Sequence, residues 1–441
     1  YAHASVGTLH VRPILDMRRD GAQKMRAVAE EASALVRKYK GAYSGEHGDG
    51  LCRGEWISWQ FGPKITEALG EIKYAFDPKG LFNPGKIIDP PKMDDASNFR
   101  FPPSYKVIPL QPALDWSAWN VQNNPVTEET SAPGTGGDPA MGLAKAVEMC
   151  NNNGHCRKFD AEVMCPSYRV TRDEKHLTRG RANTLRLALS NQLDIKDESS
   201  PLGSDAIKEV MELCVSCKAC RRECPTGVDM AKMKIEFLSA YKKRVGHSLR
   251  DLAVAYLPKY APMISSIPGL PALLNLRNHI SLIAKLQEKF MGISAQRSLP
   301  VWKSNNFWSN KKQNASYQFT AAELAHVDQH GNKGVVLLAD TFNAYFEDEN
   351  LRAALDVLKA AGYRVHIPQK NKSASNTVNT CSKEFCCGRT YLAAGMVDKA
   401  KASLDELVNH LAPYAEKGVP IIGLEPSCLF TLKDEALVMG F

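Results

Sequence analysis

One short run limits this chain more than any other feature: C-V-S-C-K-A-C-R-R-E-C-P, from Cys214 to Pro225. The spacing C-x2-C-x2-C-x3-C-P lets one turn of backbone aim three thiolates at a single [4Fe–4S] cube, while the cysteine before the proline reaches a second one. Zinc ranks well behind, because it would want two C-x2-C pairs farther apart in sequence.

The counterpart that a two-cluster arrangement demands lies upstream. Cys165-Pro166 repeats the C-P signature, and Cys150 and Cys156 precede it with Asn153 midway between them. The first run therefore reads C-x2-N-x2-C, with asparagine at one ligand position. Cys214, Cys217, Cys220 and Cys165 can complete one cube. Cys150, Cys156 and Cys224 supply only three thiolates for another. The expectation is one secure [4Fe–4S] cluster and a second that is either three-cysteine-ligated or missing. In the single-cluster case Cys224 could replace Cys165 as fourth ligand.

Composition agrees with thiolate chemistry. Among 441 residues there are 12 cysteines, 7 of them within residues 141–250, and the start Y-A-H-A-S is neither a secretory signal nor a methionine start. Cysteines without a signal argue for reduced ligands rather than disulfides, and the chain reads as a cytoplasmic piece of a longer protein, with peripheral attachment at the inner membrane left open. No apolar stretch of the roughly 18 residues needed to span a bilayer occurs. The net charge is +8, and residues 141–250 hold 20 basic and 14 acidic residues, so most of the excess sits with the cysteines. Arg157, Lys158, Lys218, Arg221 and Arg222 would then raise a cluster's reduction potential, unless they form an ordinary solvated face. Nucleic-acid binding is not expected, because basic residues alternate with acidic ones and no aromatic platform accompanies them.

Along the chain the pattern changes several times. Residues 1–92 read as a compact α/β piece, with a strand in T-L-H-V-R-P-I-L, a helix from Gly21 to Lys40, a G-E-H-G-D-G loop at 45–50, and the turn-rich F-D-P-K-G-L-F-N-P-G-K-I. Residues 93–140 form a linker segment, an ordered crossing followed by a Pro/Gly-rich stretch. Residues 141–245 are helical with cysteines at the turns. Residues 246–329 are a proline-broken helical connector whose apolar faces pack against a neighbouring domain or lie on a membrane surface. From 330 to 441 a βαβ rhythm appears, G-V-V-L-L-A-D then N-L-R-A-A-L-D-V-L-K-A-A-G then Y-R-V-H-I-P, with I-I-G-L-E as a later strand; it implies a small parallel α/β domain. The fold class is multidomain, α+β and α/β.

Near the start, His3 and His10 flank a glycine, and strand alternation would put His10 and Arg12 on one face. Glu46-His47 lies in the glycine loop. Two histidines and a glutamate suit a borderline divalent ion with open positions, although such histidines are more often ordinary hydrogen-bonded residues.

The motifs H-x6-H at 3–10, G-E-H-G-D-G at 45–50 and F-D-P-x-G-L-F-N-P-G-K-I at 76–87 resemble the C-terminal lobe of vanillyl-alcohol-oxidase-type, FAD-linked oxidases, in particular D-lactate and D-2-hydroxyglutarate dehydrogenases. That resemblance implies His3, His10 and Glu46 as ligands of a divalent metal, usually zinc, and His47 as general base. It further implies Arg12 as a partner of a substrate carboxylate and Asn83 and Lys86 at the flavin edge. The sequence departs from the commoner H-x-G-D-G-N-L-H by reading H-A-S-V-G-T-L-H, which leaves the roles of the missing Asp and Asn unfilled. Cys52 reads as a structural thiol.

The motifs C-N-N-N-G-H-C-R-K, M-C-P-S-Y-R-V-T, T-R-G-R-A-N, T-F-N-A-Y-F-E and E-P-S-C-L-F-T-L extend the likeness along nearly the whole chain. It is similar to the large bacterial single-chain FAD and iron–sulfur D-2-hydroxyglutarate dehydrogenases of the YdiJ type, in the order flavin-oxidase lobe, all-α ferredoxin-like cluster domain and small Rossmann-like CCG domain. The resemblance implies oxidation of a D-2-hydroxyacid, with metal-assisted deprotonation, hydride transfer to FAD and electron exit through [4Fe–4S] to an unidentified acceptor. D-lactate or glycolate dehydrogenase, and an electron-transfer module with an inactive flavin lobe, are the alternatives. The main FAD-binding domain would lie upstream of this chain, the C-terminal domain would be truncated, and a homo-oligomer is left open. Cys386, Cys387 and Cys428 resemble a CCG module able to hold a cluster or a redox disulfide; Cys381 has no assignment.

Overall fold

The computed structural model describes residues 2–17, 20–102, 105–120, 137–159, 163–193, 201–309, 316–326, 331, 333–370 and 384–441. They fall into two compact units, one running to Val107 and the other made of Ile108–Asn120 with Asp138–Phe441.

In the first unit, β1 (Ala2–His3) and β2 (Thr8–Leu9) form a short antiparallel hairpin in which His3 lies opposite Thr8. Gly7 closes it at φ 63°, a left-handed position that glycine adopts without a Cβ penalty. The strand expected from T-L-H-V-R-P-I-L is thus much shorter than its alternation implied. Beyond Leu9 no second strand offers a ladder, and Leu9 and Val11 are left 76% and 79% exposed. Helix α1 (Gly21–Lys38) bears out the helical run; α2 (Ile57–Phe61) and α3 (Pro63–Phe76) follow, the latter with proline in its first turn, where the missing N–H costs nothing.

Asp77 organises the turn after α3. Its carboxylate accepts the backbone N–H of Leu81 at 2.9 Å and of Phe82 at 2.8 Å and pairs with Lys73. These bonds, the Lys73 pair first, hold its pKa down at about 2 from an ordinary 3.8. A depressed carboxyl adds stability above its unfolded pKa and loses it as pH falls through the folded value. Local protection of the Leu81 and Phe82 amides should therefore fade between about pH 4 and pH 2, and Asp77→Asn should remove that fade; hydrogen exchange against pH, compared between the two proteins, measures it.

The second unit begins with a helical layer: α4 (Leu143–Glu148), α5 (Pro166–Thr171), α6 (Thr178–Leu189), α7 (Asp205–Met211), α8 (Ala219–Glu223) and α9 (Met230–Val245). The crossing segment joins this layer. Buried Glu236 on α9 accepts the N–H groups of Ala113 at 2.8 Å and Leu114 at 2.7 Å and the Trp116 indole at 2.8 Å. The expected βαβ rhythm is present: β3 (Gly334–Leu338) pairs in parallel with β4 (Arg364–His366) and β5 (Ile421–Gly423), in the order β4-β3-β5. Val335 and Leu337 pack with Phe307, Trp308 and Leu351, whereas Val336 meets Leu407, Leu411 and Cys387 on the other side. Both faces of the strand are covered, which is why it reads as an unbroken apolar run.

Candidate functional site

The hairpin and the glycine loop build the first site. A Cβ at Gly45 would lie 1.9 Å from Thr8 Oγ1, so only glycine lets the loop press against β2. That contact carries Glu46 to the histidines. His10 Nε2 stands 2.8 Å, His3 Nε2 3.3 Å and His47 Nε2 2.8 Å from one atom, Glu46 Oε1. The His3 and His10 rings are 4.8 Å apart. Desolvation pushes the Glu46 carboxyl up, but the His10 hydrogen bond and the nearby His3 and His47 outweigh it and hold the group below its usual range.

His3, His10 and Glu46 offer ligand atoms all within 4.8 Å of one another. A tetrahedral ion bound at about 2.0–2.2 Å places its ligand atoms roughly 3.3 Å apart, so the set fits a zinc-like cation after small adjustments. Arg12 is exposed on the irregular segment after His10, and the expected shared strand face with His10 does not exist, since β2 ends at Leu9. Asn83 has φ 46° and accepts Lys86 Nζ at 3.3 Å, so these two residues sit together on one turn. Cys52 is exposed rather than packed in a core, which corrects its reading as a structural thiol.

In the second unit Cys165, Cys214, Cys217 and Cys220 line one cavity, together with Thr178, Arg181 and Met230. The loop reaches this geometry through two left-handed residues, Ser216 at φ 52° and Lys218 at φ 62°. Burial pushes the Cys220 thiol up to about 12 and raises Cys165 as well. Burial thus disfavours the thiolate form at Cys220 and Cys165, and a cationic core would restore it. The cavity's surroundings fit such a core. The Thr178 N–H, at the start of α6, donates to the Cys165 sulfur, and the Met230 N–H, at the start of α9, donates to Cys220. Two helix N-termini thus meet the sulfur cage, favouring the net negative charge of a thiolate-bound cluster.

Sequence reasoning missed Arg181. It is 2% exposed, bonds Val210 O at 2.8 Å and Ser167 Oγ at 2.9 Å, both neutral, and faces the sulfur cavity. A buried guanidinium without a carboxylate among these partners wants an anionic occupant nearby. Its signal was the second arginine of T-R-G-R-A-N; Gly180 before it is required because a Cβ would lie 2.1 Å from Glu174 O. The residues credited with tuning the cluster are instead largely neutralised. Lys218 meets Glu435 at 2.6 Å, Arg221 meets Asp434, Arg157 meets Glu174 at 3.1 Å and Lys158 lies 3.8 Å from Glu223. Their field at the cavity is offset by these carboxylates, and Arg222 is exposed, which favours the solvated charged face over a set of residues that raises the cluster's potential.

At the far end of the chain Cys386, Cys387 and Cys428 line a third cavity with Asp340, Phe385 and Arg389, beyond the carboxyl ends of β3 and β5. This is the strand-order switch point where open α/β sheets bind ligands. The contact with Cys387 and burial hold the Cys386 thiol far above its ordinary value. Arg389 and Lys218 share Glu435, so a run of ion pairs joins this cavity's wall to the Cys214–Cys224 loop. Cys381 lies outside the described residues.

Comparison with known proteins accords with this geometry. Residues 1–87 match FAD linked oxidases, C-terminal domain, and residues 146–228 match the 4Fe-4S dicluster domain. The chain is 27% identical over 99% of its length to D-2-hydroxyglutarate dehydrogenase of Escherichia coli (strain K12), and equally to that of Pseudomonas putida, covering 42% of each. Over 20% of the chain it is 30% identical to the probable mitochondrial D-lactate dehydrogenase of Danio rerio, covering 18% of that protein. The chain thus spans about two fifths of the full-length bacterial relatives it matches. No solved structure matches it. The chain carries an FAD-linked oxidase C-terminal domain and an iron–sulfur dicluster domain, and the resemblance read from its motifs is borne out.

Proposed function

We propose that this chain is the metal-binding lobe and electron exit of a flavin-dependent dehydrogenase that oxidises D-2-hydroxyglutarate to 2-oxoglutarate. The observation that carries the reading is the convergence of three imidazoles on Glu46 Oε1 in a chain that also holds a four-cysteine cavity. The whole-length relatives bear the hydroxyglutarate name, whereas the D-lactate likeness covers only the first lobe, which favours the dicarboxylate substrate.

His3, His10 and Glu46 would hold the divalent ion, zinc by its donor set. A metal held there would lower the pKa of the substrate hydroxyl, and flavin and cluster would supply hydride acceptance and single-electron transfer. One carboxylate oxygen cannot serve a cation and three imidazoles at once. A cation held by Glu46 would therefore free His47 Nε2, now 2.8 Å from Glu46 Oε1, to take the hydroxyl proton. Arg12 would pair with a substrate carboxylate, and Asn83 with Lys86 would meet the flavin edge.

No helix among the described residues is long and apolar enough to cross a membrane. Leu249, Leu282 and Phe290 nevertheless stand exposed on the connector near Arg250, Lys285 and Lys289, which supports peripheral attachment to an anionic membrane surface.

In the full-length protein, His47→Ala should abolish flavin bleaching by D-2-hydroxyglutarate, a loss on the order of 10²–10⁴-fold for a general base, while cluster absorbance stays intact. Stopped-flow spectra with D-2-hydroxyglutarate, D-lactate and glycolate measure it. Unchanged bleaching in the variant removes His47 from the reaction, and faster bleaching by D-lactate overturns the substrate.

A further inference from the structure

We propose that the incomplete run at Cys150–Cys156 builds a second cluster of unequal corners. Cys150, Cys156 and Cys224 supply three thiolates, and the iron at the Asn153 corner faces solvent and takes an exchangeable small ligand. The inference rests on residues 141–245 being the cluster module and is independent of the hydroxyacid chemistry.

The backbone repeats itself at the two runs. In the intact run the residues two and four after the first cysteine, Ser216 and Lys218, are left-handed at φ 52° and 62°. In the incomplete run the same offsets from Cys150 fall on Asn152 and Gly154, left-handed at φ 64° and 77°. Such positions are uncommon for residues other than glycine, and two at matching spacing mark one loop architecture used twice. Asn153 thereby occupies the place of Cys217.

The sulfurs of the incomplete run are prepared as those of the intact run are. Cys150 is 7% and Cys156 5% exposed, although the loop between them is polar. The Cys156 sulfur receives the backbone N–H of Arg179. That donor follows Thr178, whose N–H serves Cys165, so the N-terminus of α6 addresses both cages. Cys224 lies next to Glu223, whose carboxylate accepts the N–H of Val163 at 3.1 Å and Met164 at 2.9 Å and so clips that end of α8 to the strand of chain leading into Cys165. Cys224 Sγ meets Thr226 Oγ1 at 3.3 Å, and its place before the proline of the C-x2-C-x2-C-x3-C-P run assigns it to the second site.

The fourth corner is open. Asn153 is exposed, its Nδ2 donates to Asn151 Oδ1 at 2.6 Å and its Oδ1 accepts the His155 N–H at 2.8 Å, so both ends of the amide are engaged within the loop. The corner faces a surface recess lined by Asn153, His155, Arg157, Lys158 and Arg179. Glu174 pairs with both arginines, and Lys158 approaches Glu223 at 3.8 Å and His155 at 2.8 Å. Three cations against two carboxylates leave the recess positive, suited to water, hydroxide or another small anion on the iron.

The test uses the full-length protein, purified without oxygen and without hydroxyacid. Ferricyanide should take one electron from the second cluster and release one ferrous ion, leaving a three-iron cluster visible by electron paramagnetic resonance, with about eight irons per chain falling to about seven. Cyanide should shift the signal of the reduced four-iron form. Asn153→Cys, which completes the run, should abolish both responses, and Asn153→Ala should leave both as in the parent. About four irons per chain with no three-iron signal, or a signal that persists in Asn153→Cys, overturns the proposal. No step needs substrate turnover, so this failure is separable from failure of the dehydrogenase reading.

Discussion

Glu46→Gln in the full-length protein is expected to empty the histidine site of its divalent ion and to lower kcat on D-2-hydroxyglutarate by at least about 10³-fold. A 2-hydroxyacid alcohol has a pKa near that of water, roughly 16, against about 6.5 for imidazole, so unaided transfer to His47 is uphill by some 9–10 units, on the order of 13 kcal/mol. A divalent cation of the carbonic anhydrase kind removes most of that gap for water, by roughly 9 units. Glutamine keeps the side-chain volume and one oxygen but not the charge on which His3, His10 and His47 converge. Metal content by elemental analysis and single-turnover flavin reduction are read together. His47→Ala should keep the ion and lose the reaction, whereas Glu46→Gln should lose both. A Glu46→Gln protein that is metal-free yet reduces its flavin at the parent rate would remove the ion from the chemistry.

How much of this site the sequence discloses depends on how local each cause is. The thiol spacings are legible because one loop makes the geometry, and the left-handed Ser216 and Lys218 are its consequence. His3 and His10 are legible as a pair because a tight turn at Gly7 joins them. Glu46 arrives from a separate loop, 36 residues after His10. The residues alone offered it as a ligand beside the two histidines, and the family likeness raised that reading above ordinary hydrogen-bonded residues. The strand drawn through Val11 and Ile14 failed because alternation describes a face without supplying a partner, and β1 is only two residues long.

Charge was the least legible quantity. Lys218 and Arg221 appear in sequence as part of a basic cluster, yet they converge, with Lys232, on Asp434 and Glu435, more than two hundred positions away. Arg181 shows the converse. In sequence it is one arginine among many; its weight comes from being 2% exposed beside the sulfurs with neutral partners, and burial is a property of the packed α6 rather than of the motif. Among the described residues the cluster's counter-charge therefore comes from the helix N-termini and from two cations, buried Arg181 and half-buried Lys234, which bonds the Cys214 carbonyl, while the ion-paired arginines contribute little.

That division can be tested through stability. Cys220→Ser is expected to remove the first cluster and, with it, the anion that Arg181 and the N–H groups of Thr178 and Met230 surround. Metal-coupled folding makes such a loss a loss of fold stability. The uncompensated guanidinium left behind adds about 3–5 kcal/mol, the usual penalty for stranding one member of a buried charge pair. In the parent, Arg181→Leu should lower the cluster's reduction potential and destabilise the protein. In the Cys220→Ser background the same change should be neutral or stabilising, because no anion remains for the arginine to serve. Thermal melting of the four proteins forms a double-mutant cycle, and its sign decides the matter. If Arg181→Leu destabilises both backgrounds equally, Arg181 is a packing residue bonded to Val210 and Ser167. A reversal of sign between them identifies it as the cluster's internal counter-ion.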